Sequence, residues 1–343
     1  MNDPIDIKTK KSFIREELKK NFFSFSKDAI YDALEPTLAE NIDIWGKFQQ
    51  QWCNRAYNTF KDYDKYLILI YFVRQVWQSQ SDRFDYYSMD EFYSLDNFVI
   101  EKINLIKISA DLNIPKETIR RKVNELQKEN ILSREGKSII LNKSGLKFQK
   151  PDNTVETLSL FLHKKSKLLE NNVWFGKALS KEEVKIFIEK YFTLIWLRFL
   201  KLQIPFLMRN RKLFKDLETW HVWGVIALNN QYMLIKKMKK NVISERVDYK
   251  NYVSALCNTK TDHGINGSSI SDVSGIPRAT VIRKMNWLKS MEIIKHNKKL
   301  EYALNSGGEK NIKIQENFIA SQKDICTFVA DVFDLMKNSK FKV

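Results

Sequence analysis

Glycine and proline are scarce in this chain, with 10 Gly and 6 Pro among 343 residues. A protein of many short strands needs turn residues at each reversal, so this scarcity excludes a turn-rich β fold and leaves a mainly α one. Cysteine is scarcer still. The three present, Cys53, Cys257 and Cys326, are odd in number and far apart, which excludes a disulfide framework and any CxxC metal pair and fits a reducing cytoplasm. The four histidines, His163, His221, His263 and His296, have no metal-ligand spacing, and neither GxxxxGK[ST] nor GxGxxG occurs. We therefore expect no catalytic constellation, no metal and no cofactor. Long apolar runs are also missing. Tyr66 to Val73 and Tyr191 to Leu197 are too short to span a bilayer, and Arg198, Lys201 and Pro205 interrupt the second. The first 20 residues lack the apolar core of a signal peptide.

What the chain has in excess is positive charge, unevenly placed. The net formal charge is +17. Residues 1–100 carry 13 Lys and Arg against 16 Asp and Glu, so the remaining residues hold 45 against 25. A basic excess of this kind favours a polyanionic partner. A hydrophobic fraction of 43% with 13% aromatic residues excludes a disordered chain. One acidic island, Asp82 to Glu101, has six acids, one Arg and many aromatics. It reads either as a loop and helix that turn the aromatics inward, or as a docking surface for a protein such as RNA polymerase.

The sequence also matches itself. A shift of 162 residues lays Ile114-Pro115 on Ile276-Pro277, Thr118 on Thr280, Arg121 on Arg283, Asn124 on Asn286 and Leu126 on Leu288, without a gap. Upstream, Phe60 to Phe72 (FKDYDKYLILIYF) resembles Phe214 to Ile226 (FKDLETWHVWGVI) at a shift of 154, and IWGKF at Ile44 resembles IWLRF at Ile195 at a shift of 151. SKDAIYDAL from Ser26 and SKEEVKIFIEKYF from Ser180 both open like capped helices. These pairs predict a leader over 1–24, a first helix-rich unit over 25–172 and a second over 173–343, the latter ending in a helix over 315–338.

Each matched stretch reads as a helix-turn-helix, over 108–129 and 270–291. In the first, Ile119, Val123 and Leu126 form an inward stripe, leaving Glu117, Arg121, Asn124 and Lys128 outward; in the second, Val281, Met285 and Leu288 face in while Ala279, Arg283, Asn286 and Ser290 face out. Pro115 and Pro277 suit the helix start, where a missing N–H costs nothing. Lys116, Thr118, Arg278 and Thr280 then sit where backbone N–H groups favour phosphate. In a major groove, Arg donates in bidentate fashion to guanine and Asn to adenine, which singles out Arg121, Asn124, Arg283 and Asn286, with Arg120 and Lys289 beside them. Apolar pairs follow each helix, and two short strands around polar tips predict hairpins over 131–142 and 293–305, bringing Lys137, Lys298 and Lys299 to the edge of the same surface.

The runs ISADLNIPKETIRRKVNELQKENIL and ISDVSGIPRATVIRKMNWLKSMEII resemble the winged helix-turn-helix of MarR- and IclR-type transcription regulators, written IxxxxGIPxxTVxRxxxxLxxxGII. The resemblance covers about 40 residues per copy. Departures are Asn113 at the turn glycine, and Glu129-Asn130 and Met291-Glu292 where a glycine precedes the wing; Asn tolerates the left-handed geometry needed at such a turn. The resemblance implies binding of double-stranded DNA by a regulator that carries in one chain the two units such proteins bring together as dimers, whether this chain stays a monomeric pseudo-dimer or dimerises again. Two other classes remain open: a plasmid- or phage-type replication initiator, and a tandem winged-helix scaffold for protein. The tryptophans, among them Trp45, Trp220 and Trp223, read as core or as an effector pocket, and RNRKLFK from Arg209 as a solvated helix end or an extension of the DNA footprint.

Overall fold

The computed structural model describes residues 24–82, 86–95, 97–100, 104–136, 138–142, 152–170, 177–240, 247–258, 264–306 and 309–339. The expected leader, Lys137, His263 and Trp174 lie outside these residues, apart from Ser24 at the leader's end. Side-chain acceptors open the helices where the sequence places them. Ser26 Oγ accepts from the Ala29 N–H at 3.2 Å and starts α1 (Lys27–Leu34). A 3-10 turn, Glu35–Thr37, leads into α2 (Leu38–Phe60), which ends at Lys61 in a left-handed conformation; α3 (Tyr63–Asp82) follows. A capping box between Ser88 and Glu91 opens α4 (Met89–Ser94), and β1 (Asn97–Ile100) comes next. Then come α5 (Leu105–Leu112), α6 (Lys116–Lys128), β2 (Leu132–Glu135), β3 (Ser138–Asn142) and α7 (Asp152–Leu169).

From Ser180 the order recurs. A second capping box, between Ser180 and Glu183, opens α8 (Lys181–Lys190). It is followed by α9 (Phe192–Phe214), ending at Lys215 with φ 73°, and by α10 (Leu217–Lys239). A short α11 (Tyr252–Cys257), α12 (Gly267–Ser274), α13 (Arg278–Ser290), β4 (Ile294–His296), β5 (Tyr302–Leu304) and α14 (Lys310–Asn338) complete the chain. The last helix begins five residues before the expected 315. Helices dominate, as the shortage of turn residues requires. The strand β1 was not anticipated. It pairs antiparallel with β3 (Asn97 opposite Asn142) on the side away from β2, in the order β1-β3-β2. In the second half, among the described residues, Ile265 alone bridges to Tyr302, beside the two-stranded sheet β4-β5.

The halves interlock by reciprocal contacts. Helix α1 packs on α14 and α8 on α7; α2 packs on α10 and α9 on α3. Helices α2 and α9 are both 23 residues long and start 154 residues apart. This register corrects the expected IWGKF-IWLRF match at 151: Trp45 corresponds to Phe199, Gln49 to Gln203 and Trp52 to Phe206. In that register Trp45 meets Phe206 at 5.4 Å between ring centroids and Trp52 meets Phe199 at 4.7 Å, each pair the counterpart of the other. Between them Gln49 Nε2 donates to Gln203 Oε1 at 2.8 Å, and Gln203 Nε2 donates back to Gln49 Oε1 at 3.0 Å. Both carboxamides are buried, at 4% and 0% exposure. Apolar burial supplies the driving force for the packing, while this pair admits only one register without leaving polar atoms unsatisfied.

The acidic stretch turns its aromatics inward. Phe92 is fully buried against Trp77, Phe98 and Phe192, and Tyr86 stacks on Tyr191. No single helix among the described residues is long and apolar enough to cross a membrane. Only α8 and α9 taken together pass on length and composition, and they are bent by 100° at their junction.

The glutamine pair predicts a non-additive response. Gln49→Leu alone strands the Gln203 carboxamide in an apolar setting and should cost about 1–3 kcal/mol, whereas the double variant Gln49→Leu/Gln203→Leu should recover most of that loss. Urea denaturation of the three variants measures both quantities. Additive losses would show that the pair does not act as a unit.

Candidate nucleic-acid interface

Both helix-turn-helix segments are built by the same local devices. Asn104 and Asn266 cap α5 and α12 through their side-chain oxygens. Asn113 (φ 47°) and Gly275 (φ 70°) make the left-handed turn residues. Across each turn a serine hydroxyl clamps the next strand of chain: Ser109 Oγ donates to the Ile114 carbonyl and Ser271 Oγ to the Ile276 carbonyl, both at 2.7 Å. Pro115 and Pro277 then lead into α6 and α13 with nearly identical backbone angles. After these helices Asn130 (φ 56°) and Glu292 (φ 55°) adopt left-handed conformations at the expected glycine position. Asn142 Nδ2 donates to the Asn130 carbonyl at 3.1 Å, and Asn305 Nδ2 to the Glu292 carbonyl at 3.0 Å, closing each hairpin onto its helix.

The predicted inward stripes are buried: Ile119, Val123 and Leu126 in α6, and Val281, Met285 and Leu288 in α13. Outward, Lys116, Arg120, Arg121, Asn124, Arg278, Arg283, Asn286 and Lys289 are exposed, and Thr118 and Thr280 are half-buried at the helix starts. Lys298 and Lys299 are exposed at the tip between β4 and β5. The structure therefore brings Arg278, Thr280, Arg283, Asn286 and Lys289 together on one face of α13, with the hairpin tip following that helix.

The two faces differ in how their cations are engaged. On α6, Arg120 pairs with Glu117 at 2.6 Å, and Arg121 approaches Glu125 at 3.9 Å. Glu117 thus occupies Arg120, while both Glu125 oxygens are held by Lys122 Nζ, at 3.0 and 2.9 Å. On α13, Arg278 and Arg283 make no ion pair among the described residues, and Ala279 and Ile282 lie exposed beside them. Lys289 Nζ donates to His296 Nε2 at 2.8 Å, tying the helix end to the hairpin.

Sequence reasoning missed the residues that fix these helices to the body. Lys122 Nζ meets Asp62 Oδ2 at 2.6 Å, and Lys284 Nζ meets Asp216 Oδ2 at 2.6 Å. In each case the same aspartate caps the supporting helix: Asp62 Oδ1 accepts from the Lys65 N–H, and Asp216 Oδ1 from the Thr219 N–H. Burial by itself would raise the Asp216 carboxyl, but hydrogen bonds from Lys284 and Thr219 outweigh it and hold the group below the ordinary carboxylate range; Asp62 is held down in the same way by Lys122 and Lys65. Lys284 is buried, so it anchors α13 and is not part of the outward cation set.

A second set of ties crosses between the halves. Arg211, at the end of α9, donates to the Asn113 carbonyl in the first turn at 3.0 Å and to Asp64 at 3.1 Å. Asn54, near the end of α2, donates to the Val273 carbonyl in α12 at 2.9 Å. Each helix-turn-helix is thus gripped by the long helix of the opposite half. The RNRKLFK cluster serves this packing, since Arg209 is also engaged, by Asp324 at 2.6 Å. Asn54 is itself held by His221, whose Nε2 lies 2.9 Å from Asn54 Oδ1 and 2.9 Å from Gln50 Nε2, with Tyr63 Oη 2.8 Å from Nδ1. Burial pushes the His221 imidazole down to about 3, so it stays neutral within the fold.

Among the described residues no group of His, Cys, Asp and Glu side chains could hold a metal ion. The three cysteines are unpaired and buried, and burial pushes the Cys53 and Cys326 thiols up to about 12.

Two predictions follow from these anchors. Lys284→Met leaves Asp216 and Glu218 facing no cation and should cost about 1–3 kcal/mol in thermal or urea denaturation, more than the cost of Arg283→Ala on the exposed face. For His221, an unfolded imidazole with a value of 6.5 takes up a proton that the folded state refuses down to about pH 3. Stability therefore falls with falling pH across that window, by up to about 1.4 kcal/mol per pH unit from this group. Between pH 7 and 5 the wild type should lose more stability than His221→Leu; equal losses would show that His221 is not the group that resists protonation.

Compared with known proteins, the chain matches no family model, no curated protein and no solved structure.

Proposed function

We propose that this chain is a duplicated winged-helix protein that binds double-stranded DNA in a sequence-specific manner, its two units forming a covalent pseudo-dimer, and that it acts as a transcriptional regulator. The observation that carries the reading is the face of α13. Arg278, Arg283 and Asn286 stand exposed there with no acid pairing either arginine among the described residues, and Lys298 and Lys299 extend the basic surface at the hairpin tip. Helices of this diameter enter the major groove, where arginine and asparagine discriminate bases. Hairpin lysines are then placed for backbone phosphate.

Support for duplication comes from the recurring element order, the matched turn geometry and the reciprocal packing, which has the form of an isologous dimer contact. The two units are unequal readers. In the first unit Glu117 occupies Arg120 and Glu125 stands 3.9 Å from Arg121, so the second supplies most of the base discrimination and the first contributes chiefly orientation. An unequal pair of half-sites is the expected target.

Affinity for duplex DNA should fall steeply and linearly with the logarithm of salt concentration as phosphate counterions are released. Arg283→Ala should weaken binding by about 1–3 kcal/mol and relax preference at one base position, with a smaller effect from Arg121→Ala. Fluorescence anisotropy on duplexes selected from a random pool checks both. A salt-independent or absent interaction removes the DNA reading, and intact affinity in the double variant removes the assignment of the recognition helices. Selected sites iterated at a replication origin, instead of single sites near promoters, would move the function to replication initiation; a stable protein partner without DNA affinity would indicate a scaffold.

A further inference from the structure

The end of α10 carries a face that the packing of the fold does not explain. Tyr232, Lys236 and Lys239 are exposed there, as is Lys240 at the helix end, and no other residue of α10 is exposed. At 100° per residue the four fall within an arc of about 100°, with the lysines about 6 to 12 Å beyond the ring along the helix axis. Tyr232 is 61% exposed. Among the described residues its hydroxyl has no hydrogen-bond partner, its ring touches no other ring or cation, and none of the three lysines meets an acid. Behind this face the helix is firmly held. Gln231 Nε2 donates to the Ala39 carbonyl at 2.6 Å, Tyr252 Oη donates to Gln231 Oε1 at 2.5 Å, and Asn230 Nδ2 donates to the Leu256 carbonyl at 3.1 Å.

The first half supplies an internal comparison. Helix α3 starts 154 residues before α10, so Gln78 corresponds to Tyr232 and Asp82 to Lys236. There Gln78 Nε2 donates to Asp82 Oδ1 at 2.6 Å, which satisfies the pair within the helix, and the last turn of α3 holds no cation. Cations near a helix C-terminus gain from its dipole. Both helices have that dipole, so the lysines of α10 and the bare ring beside them answer to something other than helix stability. Three unpaired ammonium groups in a row favour a polyanion. A DNA duplex offers phosphates but keeps its base faces stacked inside, where an exposed ring gains nothing. An anionic bilayer takes up an apolar face, and the only apolar body exposed on α10 is the single tyrosine ring. Single-stranded nucleic acid offers phosphates for the lysines and unpaired base faces for the ring. We propose that the end of α10 binds single-stranded nucleic acid, with Tyr232 as the stacking platform for a base and Lys236, Lys239 and Lys240 along the flanking phosphates. This site uses none of the residues of the α13 face and goes beyond the duplex reading above.

Fluorescence anisotropy of the full chain with a labelled oligothymidine, set against the same strand made abasic throughout, tests the site. The wild type should bind oligothymidine at least about five-fold more tightly than the abasic strand, because stacking on the ring is lost with the bases. Tyr232→Gln, which copies Gln78 of the first half, should keep Tm and bring both strands to the same weaker affinity. Changing Lys236, Lys239 and Lys240 together to Gln should weaken binding of both strands and flatten its salt dependence while the preference for bases survives. Arg121→Ala/Arg283→Ala should leave oligothymidine binding intact. Absence of binding, equal affinity of the wild type for the two strands, or a preference that persists in Tyr232→Gln overturns the proposal. Loss of oligothymidine binding in the double arginine variant overturns it by assigning the strand to the helix-turn-helix faces. Binding to phosphatidylserine vesicles that requires Tyr232, without binding to oligothymidine, overturns it in favour of a membrane surface.

Discussion

Two carboxamides that must find each other inside an apolar core set the frame for the rest of this molecule. Gln49 and Gln203 each exchange a donor and an acceptor with the other and with almost no access to water. Aromatic side chains around them, Trp45, Trp52, Phe199 and Phe206, supply burial but tolerate sliding. A carboxamide pair does not, because a displacement of one residue breaks two hydrogen bonds in a medium that offers no replacement. With that crossing fixed, the ends of α2 and α9 are fixed too. Those ends carry Asn54 and Arg211, which hold the Val273 and Asn113 carbonyls. The orientation of each helix-turn-helix is therefore set by its own supporting helix through an aspartate-lysine anchor and by the opposite half through a long-helix tie.

This arrangement separates the residues that hold each helix from those it displays. Lys122 and Lys284 lie on the same helices as the exposed arginines, yet they point to half-buried aspartates and serve position. Residues one position away carry the outward chemistry. The two outward faces differ although the anchoring is alike: on α6 Arg120 is paired with Glu117, and on α13 Arg278 and Arg283 make no ion pair among the described residues.

Much of the helix-turn-helix geometry was legible because its signals are local. A left-handed Asn113 or Gly275 followed two residues later by proline marks the turn, and stripes at Ile119, Val123, Leu126 and Val281, Met285, Leu288 mark the buried face. Register between the halves was not, since the resemblance of IWGKF to IWLRF competes with the shift of 154 that the glutamine pair enforces. The anchors left a trace that could have been read: Asp62 matches Asp216 and Lys122 matches Lys284, a charge pair kept at both places. Strand β1 was obscured because the exposed Val99 is as apolar as the buried Phe98 and Ile100, so the short run shows no alternation of polarity.

The pairing of the first described helix with the last has a bearing on how the protein is made. Helix α1 packs on α14, and Ser24 and the Phe25 N–H both bond to the Asp334 carboxylate, contacts separated by 310 and 309 residues. At elongation rates of about 5–20 residues per second, the start of the chain waits roughly 15–60 s for its partner to leave the ribosome. During that interval the apolar faces of α1 and α2 have no second half to cover them. Completion of the fold waits for α14 to emerge, and a ribosome stalled before residue 310 holds a nascent chain whose first helix still lacks its partner.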